Sequence, residues 1–130
     1  MLSLNVAARR RKPDLLCGTP QLTIRCVRRG ETHVVALAGE LDVATVRQLE
    51  HQLERVEQTD AGAIVLDLRD LQFIDSAGMH VLIRASARSR AQSGRLTIVR
   101  GPDSVHRAFE ICGLASRLPF VDHEQALTPA

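Results

Sequence analysis

Residues Ala63–Gly78 have the sequence AIVLDLRDLQFIDSAG, which contains the clearest strand pattern of the chain and the start of a helix. It opens with Ala63–Leu68, a nearly continuous apolar run of strand length, which is typical of a central strand covered on both faces. Because Asp67 and Asp70 follow each other closely there, we expect them to end the strand and shape the turn. A linking segment comes next and contains three more apolar residues: Leu71, Phe73 and Ile74.

A helix is predicted directly after this segment, over Met79–Ser93. Its apolar residues fall on one stripe at helical spacing, namely Met79, Leu82, Ile83 and Ala87. Ser76 stands where the N-cap of this helix is expected, because serine side chains accept hydrogen bonds from the free N–H groups of a first turn. The unit is therefore a buried strand, a short link and an amphipathic helix.

Outward from this unit, strands and helices continue to alternate. Before it, the sequence predicts a hairpin of strands Gln21–Arg28 and His33–Leu37 and a helix over Asp42–Gln58, with Asp42 as its cap and Val43 on its apolar stripe. After it come strand Arg95–Val99, a helix that Gly101-Pro102-Asp103 opens and that runs to Cys112, with Cys112 on its stripe, and strand Leu118–Val121. A closing helix over Asp122–Leu127 is an open alternative. The order β-β-α-β-α-β-α-β(-α) predicts an α/β fold with a mixed, mostly parallel sheet and helices packed against it.

The length and the charge distribution divide the chain into a tail and a body. The 130 residues suffice for one domain. Residues 1–20 carry four basic groups against one acidic group and show no period, so we expect a flexible basic extension ahead of a domain over residues 21–127. Residues 21–130 carry 13 basic and 14 acidic groups, a balance that argues against direct nucleic-acid binding. For Arg9–Lys12 a solvated tail is favoured, with contact to nucleic acid or anionic lipid as the alternative.

Several functional classes find no support in the sequence. No apolar run is long enough for a membrane span, and the N-terminal charges follow the apolar residues, opposite to a secretory signal, so we expect a cytoplasmic protein. The cysteines Cys17, Cys26 and Cys112 are widely spaced and predict no metal site, while a redox role stays open. There is no phosphate-binding loop or nucleophile elbow, so we expect neither an enzyme nor a cofactor.

Ser76 admits two interpretations on physical grounds. The residues alone favour a simple helix cap, a common role of serine before a helix. The alternative is a phosphoacceptor, since the free N–H groups and positive partial charge of a helix N-terminus tolerate a phosphate. Phosphorylation would add about 1.5–2 negative charges to this surface and would repel a partner docked over it.

Three segments together resemble the STAS domain, and most of all the bacterial anti-sigma factor antagonists. They are Leu37–Asp42 (LAGELD), Ala63–Leu68 and Phe73–Gly78 (FIDSAG), and the resemblance covers about residues 20–125. The pairing of G-E-L-D before one helix with D-S-x-G before the next is more specific than either tetrapeptide alone.

The resemblance implies a mechanism. In this family the unphosphorylated antagonist binds an anti-sigma factor that is also a serine kinase of the histidine-kinase-like ATPase fold, and this frees a sigma factor. The kinase then phosphorylates the serine of D-S-x-G, the complex dissociates, and a PPM-type serine phosphatase resets the cycle. Ser76 would be the phosphoacceptor. The partner-binding residues implied for this chain are Asp42, Asp75, Ser76, Ala77, Gly78, Met79 and His80.

Three residues depart from the family pattern, at two places in the motif. Ala77 stands where many members carry a serine or threonine, so Ser76 is the only hydroxyl of the motif. Met79 and His80 stand where the family usually has a small apolar pair. This difference affects which kinase can bind the motif. The alternative function is a STAS scaffold or complex subunit without a switch, in a stress-signalling or lipid-transport assembly.

Overall fold

Residues 21–92 and 94–123 are described by the structure, a computed structural model. Their elements, in chain order, are β1 (Leu22–Arg29), β2 (Thr32–Leu41), α1 (Val46–Glu57), β3 (Ala63–Ile74), α2 (Ser76–Ala91), β4 (Leu96–Val99), α3 (Asp103–Ile111) and β5 (Phe120–Val121). This confirms the predicted order. The predicted extension over residues 1–20, with Cys17, and most of the optional closing helix lie outside the described residues.

The strands form one mixed sheet in the order β1-β2-β3-β4-β5. The hairpin pair β1 and β2 is antiparallel, and every following pair is parallel. The predicted mixed, mostly parallel sheet is thereby confirmed. In the parallel part, the carboxyl ends of the strands meet at one edge of the sheet, where open α/β sheets commonly place their functional residues.

The main core lies between one face of the sheet and the three helices. It is built chiefly from aliphatic side chains, with Phe109 of α3 the one aromatic residue among its fully buried large members. The opposite face carries a smaller buried cluster of Val34, Val65 and Val99. Because residues Ile64 to Leu68 are buried whichever face they point to, the prediction of a central strand covered on both faces is confirmed.

Strand β3 extends well beyond its predicted end. The link expected at Leu71 and Ile74 is instead part of the strand, which pairs with β2 as far as Leu41 opposite Ile74. Two register shifts interrupt this pairing, so that Leu68, Leu71 and Ile74 all reach the core at a spacing of three residues. Each bulge adds one residue and hides the strand period of two. The predicted role of Asp67 and Asp70 as strand-ending residues was therefore wrong.

The helix boundaries and stripes need smaller corrections. In α2 the buried positions include Ala85 and Ser86, whereas Ala87 is exposed. Cys112, predicted on the buried stripe of α3, follows the helix and is exposed, as is Cys26 in β1. Both errors arise at the margin of an apolar stripe, where a one-residue offset turns a side chain towards solvent.

Asp67 is a buried carboxylate in β3. Its two oxygens accept hydrogen bonds from Nε and Nη2 of Arg69, the shortest at 2.8 Å, and Oδ1 also accepts the Arg69 backbone N–H at 3.0 Å. Burial acts to raise the pKa of Asp67, but the hydrogen bonds and charge of Arg69, with the charge of His123, outweigh it and hold that pKa below its ordinary value.

Replacing Asp67 with asparagine should lower the free energy of unfolding at pH 7 by about 1–2 kcal/mol, since Arg69 is half exposed and solvent weakens the pair. The pKa of Asp67 is lower in the folded protein than in the unfolded chain, where it is about 3.9. The contribution of the Asp67 carboxylate to stability is therefore complete above about pH 3.9 and is lost as the pH falls through the folded pKa. Urea unfolding of both proteins across this range should show the difference shrinking in acid. A difference that stays constant would contradict the assignment.

Candidate phosphorylation and partner-binding site

The site lies at the carboxyl ends of the two neighbouring parallel strands β2 and β3. Their last residues, Leu41 and Ile74, are register partners, and the Asp75 backbone N–H donates to the Leu41 carbonyl at 3.2 Å. The next residues along each strand, Asp42 and Asp75, therefore come side by side. This is how the fold brings the G-E-L-D and D-S-x-G segments together across 32 residues of sequence.

Asp75 connects the two segments through both of its carboxylate oxygens. Oδ1 accepts the backbone N–H of Gly78 at 3.0 Å, and Oδ2 accepts the backbone N–H of Val43 at 3.1 Å. The first bond makes Asp75 the N-cap of α2, in an extended conformation with φ −112° and ψ −174°. The predicted cap, Ser76, is instead the first residue of the helix. Asp75 is the cap rather than Ser76 because its two carboxylate oxygens accept hydrogen bonds from both segments at once.

Ser76 therefore does not cap α2. Its side chain is exposed, and within the described part of the chain no hydrogen bond engages its hydroxyl. It stands on the first turn of α2, where backbone N–H groups have no partner within the helix and the partial charge is positive. A hydroxyl in this position is accessible to a modifying enzyme, and a phosphate attached to it would meet favourable backbone dipoles.

Asp42 organises the turn that leads into α1. Its carboxylate accepts the Ala44 backbone N–H at 2.9 Å, and its carbonyl oxygen accepts the N–H groups of Thr45 and Val46 at 3.0 and 2.9 Å. The helix therefore begins at Val46, not at Asp42 as predicted, and Thr45 occupies the N-cap position. The buried Thr45 hydroxyl donates to the Glu40 carbonyl at 2.9 Å, which ties the turn back to β2.

The other predicted partner-binding residues differ in exposure. Gly78 and Met79 are buried against the core, whereas His80 is exposed and Ala77 is half buried. A Cβ atom on Gly78 would lie 2.8 Å from the Leu41 carbonyl oxygen, so only glycine allows α2 to approach β2 this closely. Gly78 and Met79 thus fix the position of α2 against the core. The accessible side chains of its first turns are those of Ser76, Ala77 and His80.

Two exposed apolar residues near the site were not anticipated. Val43, predicted on the buried stripe of α1, lies in the turn before that helix and points to solvent, as does Phe73. The sequence carried a signal for neither: Val43 fits the helical spacing, and Phe73 lies beyond a bulge. Carboxyl groups are also close together here: burial, and then the neighbouring charge of Asp42, raise the pKa of Glu40 above its ordinary value.

Comparison with known proteins decides the family. The family profile of the STAS domain matches residues 23–127. The chain is a member of the STAS domain family. An anti-sigma F factor antagonist from Paenibacillus polymyxa is 33% identical to this STAS domain over 97 residues, which cover 73% of this chain and 83% of that protein.

Solved structures show the same fold. An anti-sigma factor antagonist from Mycobacterium paratuberculosis superposes with a TM-score of 0.75 at 24% identity, covering 86% of this chain and 97% of that one. The antagonist SpoIIAA matches in its unphosphorylated form with a TM-score of 0.66 at 24% identity, covering 81% and 93%. Its phosphorylated form, from Bacillus, matches with a TM-score of 0.61 at 23% identity, covering 81% and 96%.

Within residues 21–92 and 94–123, no cluster of histidine, cysteine, aspartate or glutamate side chains is arranged to hold a metal ion. In the same part of the chain, no helix is long and apolar enough to cross a membrane. The carboxylates of the site are instead engaged by backbone N–H groups, as Asp42 and Asp75 show.

Proposed function

We propose that this STAS domain is an anti-sigma factor antagonist whose binding is switched off by phosphorylation of Ser76. The observation that carries the proposal is that Asp75 caps α2, which leaves the Ser76 hydroxyl exposed and without a hydrogen-bond partner among the described residues. The name of the Paenibacillus relative supports the antagonist role. The existence of SpoIIAA in a phosphorylated form supports the switch.

In the proposed cycle, the unphosphorylated protein binds an anti-sigma factor in the cytoplasm and displaces the sigma factor held there. The anti-sigma factor is also a serine kinase of the histidine-kinase-like ATPase fold. Ser76 Oγ attacks the γ-phosphorus of ATP, the bond to the ADP oxygen breaks, and the hydroxyl proton passes to a base of the kinase. A PPM-type serine phosphatase later hydrolyses the phosphoester with water and restores the hydroxyl.

This division assigns no catalytic group to the STAS domain itself. Its contribution is a rigid presentation of one hydroxyl, held by the Asp75 bonds to Gly78 and Val43 and by the close approach of α2 to β2 at Gly78. Dissociation follows from charge, because a phosphoserine adds about 1.5–2 negative charges beside Asp42, Asp75 and Glu40 in a surface that the partner must dehydrate.

The antagonist role is tested by competition. A candidate anti-sigma factor of the histidine-kinase-like fold, from the same genome, is first loaded with its sigma factor. Addition of the unphosphorylated STAS domain should release free sigma factor in a dose-dependent way, detectable by size-exclusion chromatography. If no candidate yields its sigma factor or binds the STAS domain, the antagonist role is lost.

A further inference from the structure

Four large apolar side chains are exposed in the described part of the chain. They are Val27 (43% exposed), Val43 (76%), Phe73 (48%) and Ile111 (78%). Phe73 is three residues before Ser76 and the Val43 N–H is bonded to Asp75, whereas Val27 is in β1 and Ile111 ends α3. Exposed apolar side chains that cluster at one place commonly mark a protein interaction surface.

The backbone places both residues close to Ser76. The Val43 N–H is bonded to the Asp75 carboxylate at 3.1 Å, and Asp75 is the neighbour of Ser76. Phe73 lies three residues before Ser76, so their Cα atoms are at most about 11 Å apart. A standard interface buries about 800 Å² on each partner, equal to a disc of about 16 Å radius. An interface centred on Ser76 therefore has room for both side chains.

The exposure of Phe73 is built into the sheet. The second register shift of β3 sends Ile74 into the core opposite Leu41, and Phe73 then lies opposite Glu40 on the other face of the sheet. Without that shift, the two-residue alternation of β3 would turn Phe73 towards the core. One of only three aromatic residues in the chain is thus presented to solvent.

Acidic groups border these apolar side chains. Glu40 faces Phe73 across the strands, and the carboxylates of Asp42 and Asp75 are in contact with the turn that holds Val43. Burial, and then the neighbouring charge of Asp42, raise the pKa of Glu40 above its ordinary value. Two apolar side chains with a negative border match a partner face that is apolar at its centre and basic at its rim.

We propose that Val43 and Phe73 are the apolar anchors of the docking surface for the anti-sigma factor, whose matching face carries an apolar depression bordered by arginine or lysine. This rests on the proposed function and adds to it the chemistry of recognition. It also explains how one phosphate disrupts the complex: the phosphoryl group enters the part of the interface that must become dry, while the basic rim is already engaged by Glu40 and Asp42.

The test compares single alanine variants at the four exposed apolar positions. The dissociation constant for the anti-sigma factor bound by the wild type is measured by calorimetry, and the melting temperature is measured in parallel. Phe73→Ala should weaken binding at least tenfold and Val43→Ala at least threefold, with melting temperatures close to that of the wild type. The matched controls Val27→Ala and Ile111→Ala should bind within twofold of the wild type.

Two further variants separate packing from charge. Phe73→Leu retains an apolar side chain and should keep most of the affinity that Phe73→Ala loses. Glu40→Gln should slow association at about 0.05 M salt and have little effect at about 0.5 M, where surface charges are screened.

The proposal is overturned if Phe73→Ala and Val43→Ala bind as tightly as the two controls while the wild type binds its partner normally. That result would leave the antagonist role intact. If the wild type binds no anti-sigma factor, the proposed function fails together with the anchors that depend on it.

Discussion

Replacing Ser76 with aspartate should raise the dissociation constant for the anti-sigma factor at least tenfold, a loss of about 1.4 kcal/mol of binding free energy. The reason is a permanent negative charge placed beside Asp42, Asp75 and Glu40, in a surface that the partner covers. The fold should not suffer, because an acidic residue in the first turn of α2 interacts favourably with the helix dipole. Calorimetry and thermal unfolding of the same sample measure both quantities.

Two controls isolate the effect of charge at this position. Ser76→Asn has nearly the same shape as the aspartate variant without its charge, and it should bind within about threefold of the wild type. Ser116→Asp adds the same charge to an exposed residue of the loop after α3, which lies beside Arg90 and Gly94 at the far end of α2 from Ser76, and it should leave binding unchanged. Equal affinities for the aspartate and asparagine variants at position 76 would contradict an electrostatic switch.

Replacing Gly78 with alanine should lower the free energy of unfolding by about 1–3 kcal/mol. Helix propensity alone predicts the opposite, since alanine is favoured over glycine in a helix by about 1 kcal/mol. Packing decides here, because the new Cβ would lie 2.8 Å from the Leu41 carbonyl oxygen and 2.9 Å from Cγ1 of Ile74. A backbone oxygen within a strand cannot rotate away, so α2 must move away from β2. Because this displaces Ser76, its phosphorylation should also become slower.

Gly62→Ala is the matched control for this steric argument. A Cβ on Gly62 would approach Oε1 of Glu31 to 2.9 Å, but that atom is the end of an exposed, flexible side chain. We expect a change of less than about 0.5 kcal/mol, as for ordinary surface substitutions. Urea unfolding of both variants measures the contrast. A Gly78→Ala protein as stable as the wild type or more so would show that helix and strand are not in close contact at this point.

Most of the fold was accessible from the sequence because hydrophobic period and turn residues agree with each other. Ala63–Leu68 is apolar enough to require cover on both faces, and it is buried on both. Leu22 and Ile24 alternate with polar residues in β1, whose partner β2 follows after a turn at Gly30, where φ is +62°. In these places local preference and tertiary packing favour the same structure.

The errors lie where packing overrides local pattern. Leu71 and Ile74 were assigned to a link because two bulges replace the strand period by a spacing of three. Val43 fits the stripe of α1 by its spacing. However, hydrogen bonds of Asp42 and Thr45 form a turn over residues 42–45, so the helix starts only at Val46. Bulges and turns of this kind depend on partners that are distant in sequence or on backbone angles, which a hydrophobic pattern does not encode.

At the site, sequence reasoning named the two segments that the fold brings together, but it assigned the helix cap to Ser76 instead of Asp75. Asp75 and Ser76 are both good capping residues, and nothing in their local sequence ranks one above the other. The choice is made by Val43, whose N–H needs an acceptor and lies 3.1 Å from the second oxygen of Asp75. Serine has a single side-chain oxygen and does not offer the two acceptor atoms that this bridge uses.

Intact mass spectrometry determines whether Ser76 is the residue that the kinase phosphorylates. The wild-type protein and Ser76→Ala are each incubated with ATP and a candidate anti-sigma factor kinase from the same genome. The wild type should gain the mass of one phosphoryl group, and the alanine variant should gain none. A phosphoryl group on Ser76→Ala would contradict the assignment of the site, and a stable wild-type complex without transfer would indicate a STAS scaffold or subunit without a switch.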